Sequence, residues 1–103
     1  MTNLIKIKRL IISGKYAFTA KAIDEMDADG LIEEDVLESI LNAQFARTKK
    51  SSSRFRQKVK EKVYIIESFT YSGILIYTKG VIHKEAGGEK LYFLISSKKS
   101  ISS

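Results

Sequence analysis

Tyr77, Lys79 and His83 recur at even spacings in one run of alternating apolar residues, and Tyr92 and Lys98 do so in the next. Upstream, Lys49, Lys50, Arg54 and Arg56 crowd a serine-bearing stretch that leads to Glu61. Lysine, arginine and tyrosine with one carboxylate are suited to chemistry on a polyanion. Cleaving RNA without a metal requires a base for the 2′-hydroxyl, cations for the charge on the pentacoordinate phosphate and an acid for the departing 5′-oxygen. Lysine and tyrosine can supply all three. Their ordinary pKa values, ~10.4 and ~10, are too high for a base at neutral pH, but neighbouring cations favour neutral lysine and ionised tyrosine.

Other catalytic arrangements are poorly served. His83 is the only histidine, so a paired-histidine acid and base is excluded, and on its own it reads as an ordinary half-exposed strand residue. The chain has no cysteine, which removes disulfides and thiolate metal ligands. Gly87-Gly88 stands alone between two apolar runs and is no phosphate-cradling loop. No metal or cofactor is expected.

Charge is distributed unevenly along the chain. Residues 1–14 carry +3, residues 15–43 carry −6 and residues 44–103 carry +9, giving the net +6. Between Arg47 and Lys62 there are eight basic residues and one acid. Such a stripe is the electrostatic footprint of a polyanion partner, because each neutralised phosphate releases condensed counterions. A solvated basic face kept for solubility is the plainer alternative. Lys6, Lys8 and Arg9 interrupt the N-terminal apolar residues before a signal-peptide core can form, and no stretch approaches the ~20 apolar residues of a membrane span. The expectation is a cytoplasmic domain.

The 103 residues suit one domain with one core. Leu4, Ile7, Leu10 and Ile11 at helical spacing predict a helix over 3–13, stopped by Ser13-Gly14. Thr19 is a predicted N-cap for a second helix burying Ala22, Ile23 and Met26 and ending near Asp29-Gly30. A third begins at about Glu33, with acids against the positive end of its dipole, and buries Val36, Leu37, Ile40 and Leu41. Tyr16 to Phe18 reads as an extended connector, and Lys49 to Ser53 as an exposed loop.

After Asn42 the period becomes two. Strands are predicted over 57–67, from Ile74 to His83 and from Leu91 to Lys98, joined by glycine-bearing turns into antiparallel hairpins. In the first of these, Val59, Val63 and Ile65 lie opposite Lys62 and Tyr64. With the helices covering Ile74, Ile76, Phe93 and Ile95, the open face would hold Tyr77, Lys79 and His83, joined by Tyr92, Ser96 and Lys98. The expected architecture is α+β, N-terminal helices on one face of a C-terminal antiparallel sheet. Its open face would bind unpaired RNA, phosphates on Lys and Arg and bases stacked on Tyr.

The segments Ile76-Tyr77-Thr78-Lys79-Gly80-Val81-Ile82-His83 and Leu94-Ile95-Ser96-Ser97-Lys98, after three helices, resemble the MqsR toxins, ribonucleases of the wider RelE-like fold. Thr19-Ala20-Lys21-Ala22 and Gly30 through Val36 also look like a related toxin-like family, in which a histidine commonly precedes the alanine; Lys21 stands there, so no histidine role carries over. The resemblance spans roughly residues 11–98 and implies an mRNA-cleaving toxin, acting on free or ribosome-bound message. It implies a cognate antitoxin partner, often zinc-carrying with a helix-turn-helix DNA-binding domain. Carried over position by position, it makes Lys50, Tyr77 and Lys98 catalytic, with Glu61 a further catalytic candidate standing where a glutamine is expected before Val63-Tyr64. Lys49, Arg54, Arg56, Lys79, His83 and Tyr92 remain as RNA contacts. The alternative is a non-catalytic RNA-binding or protein-interaction module on the same fold.

Overall fold

A computed structural model describes residues 2–50 and 62–100. They form α1 (Thr2–Ile12), β1 (Tyr16–Phe18), α2 (Ala20–Asp29), α3 (Glu33–Asn42), β2 (Arg47–Lys50), β3 (Lys62–Phe69), β4 (Leu75–Lys84) and β5 (Lys90–Lys99). Arg54, Arg56 and Glu61 lie outside the described residues, as does the start of the strand expected from Gln57.

The helices begin and end where local chemistry directs. Thr19 Oγ1 accepts the Ala22 amide at 3.2 Å to open α2, and Gly30 closes it at φ 70°, a left-handed conformation that glycine adopts without a Cβ penalty. Asp35 Oδ2 accepts the Ile32 amide at 3.1 Å at the start of α3. The buried stripes are narrower than the apolar periodicity predicts. Leu4, Ile7 and Ile11 of α1, Ala22 and Met26 of α2, and Val36 and Ile40 of α3 are buried, whereas Ile23 and Leu41, expected in the core, are exposed. Each helix meets the sheet along one line, which leaves the flanking apolar positions outside it.

The strands form one five-stranded sheet in the order β1-β5-β4-β3-β2. Its covered face supplies Tyr64 and Ile66 from β3, Ile76 and Thr78 from β4, and Tyr92 and Leu94 from β5. Fully burying a side chain of leucine or isoleucine size stabilises by roughly 1.5–3 kcal/mol, so these rows and the helix stripes dominate stability. The fold is α+β with the helices on one face, and four sequence expectations need correction. The sheet is mixed, because Tyr16–Phe18 is a strand parallel to β5. Arg47–Lys50 pairs antiparallel with β3, so Lys49 and Lys50, expected at the start of an exposed loop, lie in a strand. The buried side of β3 is that of Tyr64 and Ile66, with Val63 and Ile65 turned to the other face and only half-buried.

The fourth correction concerns β5. Lys79 pairs with Ser96 but Gly80 pairs with Leu94, so Ile95 is an extra residue, a β-bulge that reverses the alternation beyond it. Tyr92 and Leu94 therefore face the helices before the bulge, and Lys98 faces away from them after it. Phe93, expected under the helices, lies on the open face against His83, their ring centroids 5.7 Å apart.

Candidate functional site on the open sheet face

Residues paired across adjacent strands share a face, with Cβ atoms about 4.5–5.5 Å apart. Glu67 of β3 pairs with Tyr77 of β4, and Tyr77 pairs with Lys98 of β5, making one row across the face that no helix covers. Lys98 Nζ stands 5.5 Å from the Tyr77 ring centroid, within range of a cation–π contact. From β2, Arg47 Nη2 donates to Glu67 Oε1 at 2.9 Å, and Ser100 Oγ donates to Glu67 Oε2 at 2.7 Å. These contacts fix where the one carboxylate of the row sits. In the neighbouring row, Lys79 lies between Ile65 and Ser96 on the face of Tyr77, about 6.6 Å further along the strand. An anion placed over Tyr77 would meet Lys98 and Lys79 beside it, with Arg47 tied to Glu67 at the rim.

Beyond Lys79 the face turns apolar. Val63, Val81 and Phe93 are half-buried there, with Lys49 at the outer edge, registered opposite Val63. His83 has a half-exposed side chain whose Nε2 lies 4.0 Å from Glu85 Oε2.

The structure thus joins Tyr77, Lys98 and Lys79 and leaves other expected residues apart. His83 is six residues along β4 from Tyr77, about 20 Å away. Lys50 pairs with Lys62, five residues along β3 from Glu67 and two strands from Tyr77, so its backbone lies on the order of 19 Å from the Tyr77–Lys98 pair. The expected grouping of Lys50 with Tyr77 and Lys98 is therefore not seen in the backbone register. Tyr92, expected to stack on RNA, is fully buried under the helices because the bulge puts it there, and it cannot reach a base. Its hydroxyl has no hydrogen-bond partner among the described residues, and burial, with a smaller contribution from Tyr64, pushes its pKa well above the usual tyrosine range.

Glu67 of the row and Arg47 at its rim were missed by sequence reasoning. Glu67 follows Val63 and Ile65 at steps of two, which puts all three on one face, and that parity was readable. Arg47 opens a strand that no periodicity predicted.

Among the described residues no group of three or more histidine, cysteine or acidic side chains is disposed to hold a metal ion. No described helix is long and apolar enough to cross a membrane. Neither a protein-family model, nor a curated protein, nor a solved structure matches this chain.

Proposed function

We propose that the open sheet face binds single-stranded RNA and cleaves it by metal-independent acid–base chemistry. The observation that supports this best is the row Glu67–Tyr77–Lys98, a carboxylate, a phenol and an ammonium side by side on a face edged by Lys79, Arg47 and Lys49. In this reading Glu67 takes the proton of the 2′-hydroxyl as its oxygen attacks the adjacent phosphorus. Lys98 and Lys79 neutralise the charge that gathers on the phosphorane. The bond from phosphorus to the 5′-oxygen breaks as Tyr77 donates its proton to that oxygen. The products are a 2′,3′-cyclic phosphate and a 5′-hydroxyl, and solvent returns the protons. Glu67 takes the base role in this reading, and Glu61, the candidate that the resemblance sets, lies outside the described residues.

The role of a growth-arresting toxin held in check by a cognate antitoxin goes with this reading and rests on the resemblance to MqsR-like ribonucleases. Purified protein is expected to cut RNA in excess chelator, to leave cyclic phosphate ends and to spare DNA, which lacks the attacking hydroxyl. Tyr77→Phe and Lys98→Ala should each lower the cleavage rate ~10²- to 10⁴-fold while RNA affinity falls far less. Cleavage abolished by chelator, or unchanged in both variants, would defeat this mechanism. RNA binding without any cleavage would leave the open face as a binding platform only.

A further inference from the structure

Strict alternation would put Lys98 on the face of Tyr92 and Leu94, beneath the helices. Its place beside Tyr77 depends on the extra residue at Ile95, and the residues that engage the strand there come from α2 and its N-cap. β1 pairs with β5 only as far as Leu94, so beyond it α2 takes over the edge. Thr19 Oγ1 donates to the Ile95 carbonyl at 3.1 Å. Glu25 Oε1 accepts both the Ser96 hydroxyl at 2.6 Å and the Ser97 amide at 3.1 Å, and Asp29 Oδ2 accepts the Lys99 amide at 2.8 Å.

The spacing explains why a helix can do this. Residues four apart on a helix are ~6.0 Å apart along its axis, and residues two apart on a strand ~6.6 Å, so Glu25 and Asp29 meet the amides of Ser97 and Lys99 in step. The two carboxylates take the place of a neighbouring strand's carbonyls. Of the four acids in α2 they are the two that are half-buried, while Asp24 and Asp27 are exposed.

We propose that Glu25 is a positioning residue for Lys98: by engaging Ser96 and Ser97 directly after the bulge, it holds the register that turns the Lys98 ammonium onto Tyr77. Removing the bulge would set Lys98 opposite Ile76 on the covered face and leave Ser97 opposite Tyr77. The ammonium would then leave the row. The catalytic consequence rests on the cleavage reading above, while the positional claim does not.

The test is a set of variants of the full chain followed by nuclear magnetic resonance and by cleavage. In the parent, the Lys98 side-chain methylenes should be shifted upfield by the Tyr77 ring and show cross-strand contacts to it. Glu25→Ala should lose both signals, and keep those between Ala17 and Phe93 on the intact side of β5. Its kcat for RNA should fall ~10²-fold with little change in KM, as for a displaced catalytic group. Glu25→Gln, which retains an acceptor oxygen, should keep the Tyr77 contacts and most of kcat. If Glu25→Ala does not fold, Ser96→Ala decides: faster exchange of the Ser97 amide and a smaller Lys98 shift are expected. Folded Glu25→Ala or Ser96→Ala with the Lys98–Tyr77 signals intact would overturn the proposal. Lost signals in the variant, with a parent that does not cleave RNA, would uphold the positioning and overturn the cleavage reading instead.

Discussion

Replacing Tyr92 with phenylalanine should stabilise the protein. The ring is fully buried between the helices and β4, and the hydroxyl finds no hydrogen-bond partner among the described residues. A buried hydroxyl without a partner costs about 1–3 kcal/mol, whereas phenylalanine keeps the ring contacts and leaves a hole the size of one oxygen. The net gain should be about 1 kcal/mol, which raises Tm by roughly 4 °C or more in a domain of this size. The substitution should also change the alkaline limb of the stability profile. Burial raises the Tyr92 pKa in the folded state above its unfolded value of 10.0, so the folded chain retains a proton that the unfolded chain gives up. Stability from this group is complete below about pH 10 and falls above it, by up to ~1.4 kcal/mol per pH unit. Urea denaturation between pH 7 and 11 measures both effects. Tyr92→Phe should shift the midpoint upward at pH 7 with an unchanged m-value, and should flatten the decline above pH 10. A variant less stable than the parent by 1 kcal/mol or more at pH 7, or one with the parent's alkaline decline, would refute the reasoning.

Two further outcomes are expected beyond the cleavage and positioning tests. A Cβ at Gly80 would lie 2.5 Å from both Cζ and the hydroxyl oxygen of Tyr92 and 2.8 Å from the Phe93 carbonyl, so Gly80→Ala should cost at least the ~1–3 kcal/mol typical of overpacking, seen as a lower urea midpoint. In a Tyr92→Leu background, where the ring is absent, the same alanine should cost less. Lys49→Ala should reduce the salt slope of single-stranded RNA binding by about 0.7, as expected when one phosphate contact is lost, and leave the rate at saturating RNA near the parent's.

The parts of the fold that were legible are those in which local chemistry and periodicity agree. Thr19 as a cap, Gly30 as a stop, the acids opening α3 and the alternation of β4 each carry their own signal within a few residues, and each element forms where that signal lies. β2 carries none. Arg47-Thr48-Lys49-Lys50 is an edge strand without an aliphatic residue, and nothing in its composition marks a strand. β1 has three residues and a partner more than seventy positions away, so no local pattern could reveal the parallel pairing.

The bulge in β5 is the more instructive case, because its signal lies on the other strand. Leu91 to Ile95 is a continuous apolar run that suits either face and so does not mark a bulge, yet a glycine inside the β4 pattern is a mark of close backbone approach or of a bulge nearby. At Gly80 both are present: the Tyr92 ring occupies the space a Cβ would need, and the register slips opposite the bond between Lys79 and Gly80. Tyr77 and Lys98 were expected on one face, and they share it for a reason that unbroken alternation cannot supply. The same slip that removes Tyr92 from any contact with RNA delivers Lys98 to the open face. The buried ring and the glycine that admits it lie on one side of the slip and the carboxylate of Glu25 engages the strand on the other, so loss of the bulge should be felt at Lys98.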